Sequence, residues 1–259
     1  MSMTLFLVLC CVGAVAATGL GILLVRRVIH HKVAEGHNDV LVPIFLTTGT
    51  IYAVFLAFIV VAVWEDYGVA HTNIADEASA LTTIYRASTG MDKATGDELR
   101  GLVREYTEAV VKEEWKIQAE TGGASNAART AGLNMYRLFG HLEPAVRQSD
   151  TAIDQAIIGL INQVQADRNR RTLQAAESVS PVIWLAVIGG GAAVVMMSFF
   201  LFMELAWPQI VVASTMSLLI ALLLSITYLL SHPFNGPMAL EPEPFEHSLS
   251  VYQSVDKTP

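Results

Sequence analysis

Ionisable side chains stand at both ends of one long apolar segment, and they are the first candidates for chemistry. His37 and Asp39 precede this segment, and Glu65 and Asp66 follow it. Carboxylates repeated around the axis of a symmetric oligomer form acidic rings, which favour cations at the mouth of a pore. The alternative for Glu65 and Asp66 is simple hydration or ion pairing just outside the apolar core. These four residues are therefore candidates for a pore mouth or for interfacial loops.

Histidines near the start of the segment could form a metal-binding or pH-sensing cluster. His30, His31 and His37 lie close to Asp39 in the sequence, and imidazole and carboxylate groups are common metal ligands. A solvated loop with interspersed histidines explains the same pattern, and Asp39 is also well placed to complement the positive end of the following helix. We favour the loop and the helix start, so no metal site is predicted.

The apolar segment itself, Val40 to Trp64, contains 25 residues without a formal charge. About 20 apolar residues suffice to cross the hydrocarbon core of a bilayer, so the segment predicts a membrane span. At about 100° per residue, polar and aromatic side chains share one stripe that also includes His37 and that could line a pore. This stripe comprises Thr48, Tyr52, Phe55, Ile59 and Asp66. Alternatively, its hydroxyl groups bond only to their own or a neighbouring helix.

A second stripe on the same helix consists of the small residues Gly49, Ala53 and Ala57, which suit close helix packing.

Four apolar runs organise the whole chain. They lie at about 5–25, 40–64, 182–202 and 210–230, and only 15 % of the residues are charged, against about 25 % in soluble domains. We predict an all-α integral membrane protein with four transmembrane helices, two in residues 1–64 and two in 182–231. Residues 65–181 show helical periodicity and predict a helical extramembrane domain, with a separate helix from about 70 to 88. The Pro-rich C-terminal tail, 232–259, is expected to be loop-like and to lie against the domain or the membrane interface.

Smaller features have structural interpretations. Glycines 189–191 favour close packing of the third span. Charged residues of the extramembrane domain predict ion pairs or hydrogen bonds between helices, namely Glu77, Arg86, Glu113, Glu114, Asp167 and Arg168.

Composition and motifs exclude several function classes. The formal net charge of −8 argues against a nucleic-acid partner, because phosphate binding requires a basic surface. The sequence contains no Gly-rich phosphate loop, CxxC, HExxH or GxSxG motif, so we predict no enzyme and no cofactor.

Charges in the first loop predict the topology. Arg26, Arg27 and Lys32 lie between two closely spaced spans, and short basic loops remain cytoplasmic. The N-terminus, the helical domain and the C-terminus of this multi-pass inner-membrane protein are then extracytoplasmic. Arg168, Arg170 and Arg171 favour the opposite orientation, but long domains translocate largely regardless of their charge.

Several sequence blocks in order resemble the bacterial bestrophin-like domain family, over nearly all residues from 37 to 249. The blocks are HNDV with GTIYAVFLAFIVVAVWE, DEASALTTIYRAS, LRGLVREYTEAVVKEEW, QADRNRRTLQAAES and PFNGPMALEPEPF. The resemblance implies two spans, a helical domain and two more spans. Bestrophins themselves are pentameric chloride channels whose intervening domain is cytosolic, the reverse of the topology that the loop charges predict.

These patterns together predict a homo-oligomeric ion channel or channel-like protein in a lipid bilayer, with inorganic ions as its partners. Its pore is lined by the second span. Ion selectivity stays open, because the acidic residues favour cations and the resemblance favours anions. The alternative is a non-conducting sensor or scaffold whose helical domain binds a partner.

Overall fold

The computed structural model describes residues 3–29, 37–121, 123–134, 152–176 and 179–257, and within them every regular element is helical. This confirms the all-α class. The helices are α1 (Met3–Ile29), α2 (His37–Ala87), α3 (Lys93–Ala109), α4 (Trp115–Thr121), α5 (126–134), α6 (Ala152–Ala176), α7 (Pro181–Phe199), α8 (Ala206–Leu230) and α9 (Glu243–Val255). A 3-10 turn, Ser88–Gly90, follows α2, and a π-helical turn, Val110–Glu114, joins α3 to α4.

Four of these helices, α1, α2, α7 and α8, are long and apolar enough to cross a membrane. The prediction of four spans is therefore confirmed. The second span differs from the prediction in length, since α2 is a single helix of 51 residues. Residues 65–87 are much more polar than the apolar run before them. They contain no proline and only one glycine, Gly68, so the helix has no reason to end where the apolar run ends. The separate helix expected from about 70 to 88 is the continuation of α2.

The chain forms two compact units, and α2 contributes to both. The membrane unit comprises Met1–Asp66 and Val179–Ser231, and the extramembrane unit comprises Tyr67–Ser178 and His232–Pro259. Within the membrane unit, α1 packs along α8, and α7 contacts both of these helices.

Polar contacts in the membrane unit hold the start of α2. The Asn38 side-chain amide donates to the carbonyl oxygen of Phe202 (2.6 Å) and accepts from its N–H (3.0 Å). At the end of α1, the buried Arg26 guanidinium donates to Oε1 of Gln209 (3.0 Å) and to the carbonyl oxygen of Glu204 (3.1 Å). The α7–α8 connection and the first turn of α8 supply these partners, so this region is attached to the end of α1 and to the start of α2.

The C-terminal segment is part of the core of the extramembrane unit. The buried side chains Phe234, Phe245 and Tyr252 belong to the same apolar cluster as Ile74 and Leu81 of α2. The expectation of a loop-like tail is therefore wrong for Glu243–Val255, which forms α9. Pro242 and Pro244 lie at the beginning of this helix. The missing N–H of proline costs nothing there, because the first N–H groups of a helix have no acceptor within the helix.

Two glycines of α7 allow α2 to approach closely. A Cβ atom added to Gly190 would lie 2.9 Å from the ring of Tyr52, and one added to Gly191 would lie 2.7 Å from the Tyr52 hydroxyl. The expected packing role of this glycine run is confirmed for these two residues. A Cβ at Gly189, in contrast, meets no atom within 4 Å.

We predict that Gly191→Ala destabilises the membrane unit by about 1–3 kcal/mol, the usual cost of overpacking a closed core. Gly189→Ala is the matched control, because it brings the same gain in helix propensity without a clash. Thermal unfolding in detergent would show a lower midpoint for Gly191→Ala than for Gly189→Ala. Equal midpoints would contradict the close contact between Tyr52 and α7.

Candidate functional site

The predicted pore stripe of α2 divides into buried and exposed residues. Tyr52 is only 8 % exposed, whereas Phe55 is 38 % exposed. Thr48 and Ile59 are half-buried, and Asp66 is exposed. These residues therefore lie on one side of the helix, but only some of them are exposed on the surface of the single chain.

The buried position of Tyr52 follows from its contacts within the membrane unit. Its hydroxyl donates to the carbonyl oxygen of Val187 on α7 (3.2 Å), and Leu56 packs in the same cluster. Ile59 lies at the edge of this cluster. The Tyr52 hydroxyl is therefore bonded to a neighbouring helix. For Tyr52, this agrees with the alternative interpretation of the stripe, in which the hydroxyl groups bond to helices and do not line a pore.

A neighbouring face of α2 is much more exposed. Phe58 is 71 % exposed, Ile51 is 66 %, and both Val54 and Val61 are 53 % exposed. This face could not be singled out from the sequence because it is uniformly apolar, as is any face of a span that contacts lipid. The two faces of α2 differ in burial only because other helices pack against the face that contains Tyr52.

The small-residue stripe borders an open apolar groove between α2 and α8. Gly49, Ala53 and Ala57 form one wall, α8 residues such as Ile220 form the other, and the groove has a volume of about 620 Å³. A Cβ at Gly49 would meet no atom within 4 Å. The hydroxyl of Thr50, which also lines the groove, donates to the carbonyl oxygen of Leu46 (2.8 Å). The stripe therefore lies beside open, apolar space within one chain.

The candidate residues at the ends of the second span do not form a metal cluster in the part of the chain that the structure describes. His37 is half-buried, and Asp39 and Glu65 are exposed. Asp39 lies in the first turn of α2, where its charge complements the positive helix end. The histidines at positions 30 and 31 lie outside the described residues.

A buried ion network forms the polar centre of the extramembrane unit. Arg171 of α6 is fully buried and donates to both carboxylate oxygens of Glu77 on α2 (2.8 and 3.0 Å). It also donates to Glu114 in the π-helical turn (2.8 Å) and to Gln118 of α4 (2.9 Å). One guanidinium of α6 therefore binds two segments that are distant in sequence, α2 and the continuous stretch of the π-helical turn and α4.

A second arginine extends the network through the same acid. Arg168 donates to the other carboxylate oxygen of Glu114 (2.6 Å), which also accepts the backbone N–H of Ser125 (3.0 Å). The neighbouring Glu113 accepts the Ser125 hydroxyl (3.1 Å). The π-helical turn thus places two successive glutamates on one serine, since its wider turn changes the angular spacing of side chains.

Local electrostatics keep this network charged. Burial lowers the pKa of Arg171, but the carboxylates, Glu77 foremost, outweigh burial, so its pKa lies above the ordinary value. Tyr106 donates to Glu77 (2.7 Å), and its pKa is raised well above the ordinary value, first by burial and then by the Glu77 charge. Arg171 therefore stays a cation and Tyr106 a neutral donor across the physiological range.

The predicted interhelical ion pairs are confirmed for Glu77, Glu114 and Arg168, whereas Asp167 pairs with Arg170 of its own helix and the Arg86 side chain is exposed. The central position of Arg171 in the buried ion network was not predicted from the sequence. The available signal was its position on the apolar stripe of α6, where Ile157, Ile161 and Val164 are followed by Arg168 and Arg171 at the same spacing of three and four.

We predict that Arg171→Met lowers the stability of the extramembrane unit by about 3–5 kcal/mol, because two buried carboxylates lose their counter-charge. Arg86→Met is the matched control, since this arginine of the same unit is exposed. Denaturant unfolding of the full-length protein, followed by tryptophan fluorescence, measures both. A loss below about 1 kcal/mol for Arg171→Met, the range of surface ion pairs, would contradict the central role of this arginine.

Comparison with known proteins places this architecture in a family. The sequence profile of the Bestrophin-like domain family matches residues 12–245. None of the functionally curated proteins matches the chain significantly.

Solved structures share the fold. A crystal structure of a single-substitution variant of a bacterial bestrophin homologue from Klebsiella pneumoniae has 13 % identity and a TM-score of 0.75, and the match covers 96 % of this chain and 99 % of that chain. A crystal structure described as a single-substitution variant of a membrane protein has 14 % identity and a TM-score of 0.75, with coverage of 97 % and 99 %. Because the family profile covers most of the sequence, this chain belongs to the Bestrophin-like domain family.

Proposed function

We propose that the protein is a homo-oligomeric ion channel whose pore is lined by α2. Family membership and the shared fold support a channel-like membrane protein. The proposal that α2 lines the pore rests on the arrangement of its side chains. Part of the membrane-spanning surface of α2 does not contact the other helices that the structure describes in the same chain.

Within this proposal, the pathway runs along the accessible edge of the predicted stripe. Thr48, Phe55 and Ile59 face it inside the membrane, and Asp66 stands at its mouth, with His37, Asp39 and Glu65 near the two ends. Tyr52 lies at the protomer-facing edge of the stripe, where it supports α2 against α7. Apolar side chains such as Phe55 and Ile59 would form a hydrophobic constriction that controls hydration of the pore.

The exposed face of Ile51, Val54, Phe58 and Val61 is the competing assignment for the pore wall, because exposure is greatest there. In the proposed arrangement this face contacts lipid. The orientation with the extramembrane unit outside the cytoplasm, the inner-membrane location and the inorganic ions conducted belong to the same proposal.

Ion flux into liposomes tests the pore and its lining together. We expect purified protein to conduct under a potassium or a chloride gradient, and Phe55→Ala and Ile59→Ala to increase the flux several-fold because they widen an apolar constriction. Phe58→Ala is the matched control and should change flux little. Asp66→Asn should reduce any preference for cations, since it removes a ring of charge from the mouth.

A larger effect at Phe58 than at Phe55 and Ile59 would move the pore to the competing face. Absence of flux under either gradient and at several pH values would contradict the channel, and it would favour a non-conducting sensor or scaffold.

A further inference from the structure

One buried carboxylate in the extramembrane unit lacks a complete set of partners. Asp167 of α6 is only 3 % exposed, and its Oδ1 atom accepts from Arg170 (3.1 Å). Its Oδ2 atom is buried and makes no hydrogen bond to the described residues. The side-chain amide of Gln163, one turn earlier on α6, is the nearby donor that stabilises the carboxylate, and its effect is smaller than that of burial. A buried anionic oxygen without a donor is energetically costly, so this position favours a neutral carboxyl group.

Asp167 lies where α6 packs against α2. Asn73 of α2 donates to Gln174 of α6 (3.0 Å), and Glu77 binds Arg171. These contacts set the two helices antiparallel, and the carboxylate of Asp76, an exposed residue of α2, acts on Asp167 through its charge. Loss or gain of charge at Asp167 therefore acts directly on the contact between the two helices.

The charged groups facing Asp167 come from both helices. On α6, Arg170 stabilises the carboxylate, while Arg168 and Arg171 are bound to Glu114 and Glu77. On α2, the Asp76 carboxylate repels it. Burial raises the pKa of Asp167 above its ordinary value of 3.8 and Asp76 adds to this shift, while Arg170 and the Gln163 amide oppose it without cancelling it.

A proton fits the unpartnered oxygen better than a metal ion does. Oδ2 is almost completely shielded from solvent, so a hydrated cation has no room beside it without rearrangement. In the part of the chain that the structure describes, no group of three potential metal ligands occurs. Protonation needs no additional space and removes both the unpaired charge and the repulsion by Asp76.

We propose that Asp167 is a proton-binding switch between α6 and α2, which tightens their contact when it is protonated and loosens it when it ionises.

The direction of the pH dependence follows from the raised pKa. The folded state holds the proton more tightly than the unfolded state, so stabilisation is complete below about pH 3.8 and is lost as pH rises through the raised pKa. Within this window one linked proton increases the opening equilibrium of α6 by up to about tenfold per pH unit. Above the raised pKa the opening equilibrium is constant.

Hydrogen exchange of the full-length protein in nanodiscs, followed by mass spectrometry from about pH 3.5 to about pH 7, tests the proposal without any ion flux. After correction for intrinsic exchange, opening of the α6 peptide should rise with pH in the wild type and stay constant in Asp167→Asn. Asp97→Asn is the matched control, because Asp97 also pairs with an arginine three residues later but is exposed. It should retain the wild-type profile.

Asp76→Asn keeps the test decisive if Asp167→Asn folds poorly. Removal of the repelling charge should move the transition of α6 exchange to lower pH. A wild-type profile without a transition, or a transition unchanged in both Asp167→Asn and Asp76→Asn, would overturn the proposal.

An effect of this switch on ion flux rests on the proposed function, and flux recorded across the same pH range measures it separately. Wild-type flux should change several-fold, whereas Asp167→Asn flux should not. Flux independent of pH despite pH-dependent exchange would overturn only the regulation of the pore, whereas absence of flux would overturn only the channel.

Discussion

The burial of one arginine organises the extramembrane unit. Arg171 is completely enclosed, and its charge is tolerated only because carboxylates from two other segments surround it. Glu77 comes from α2 and Glu114 from the π-helical turn, while the rings of Trp115 and Phe245 lie over the guanidinium at 5.5 and 5.6 Å. A shift of any of these segments would leave a buried charge unpaired, so the ion network strongly restricts how α2, α4, α6 and α9 can pack.

A different constraint governs the membrane unit. The bilayer offers no hydrogen bonds to the backbone, so each span must be a helix that satisfies its own polar groups. The few polar side chains of this unit follow the same rule, as the Tyr52 hydroxyl and the Asn38 amide each bind a backbone carbonyl of another segment. Because α2 runs through both units, the helix proposed to line the pore also carries Glu77 of the buried network. This shared helix is the physical basis for relating the extramembrane unit to ion flux.

The parts of the fold that depend on local composition could be predicted from the sequence. Four long uncharged runs are sufficient to predict four spans, and the resemblance of sequence blocks is sufficient to predict the family. The continuation of α2 through Ala87 was missed because the change from apolar to polar residues coincides with the membrane boundary but not with a helix breaker. Helix α9 was missed because its prolines were interpreted as loop residues, whereas two of them begin the helix.

The candidate site was harder to predict, for physical reasons. Helical periodicity shows which residues of α2 share a face, but the direction of that face depends on the packing of α7, which a single helix does not reveal. The contact of Tyr52 with Gly190 and Gly191 is such a case. From the sequence, Arg171 was considered only as a basic residue near a span that bears on topology. Its burial could not be predicted, because its partners lie more than fifty positions away in the sequence.

If α2 lines an aqueous path, one face of this helix is accessible to water inside the membrane. Single cysteines would replace each residue from Ile51 to Val61 in a chain whose Cys10 and Cys11 are changed to alanine, and a charged, membrane-impermeant thiol reagent would be applied to proteoliposomes. We expect modification of cysteines at positions 55 and 59 and little modification at position 58, since a reactive thiolate forms only where water reaches the side chain. Absence of modification throughout the span, while Asp66→Cys reacts, would contradict it.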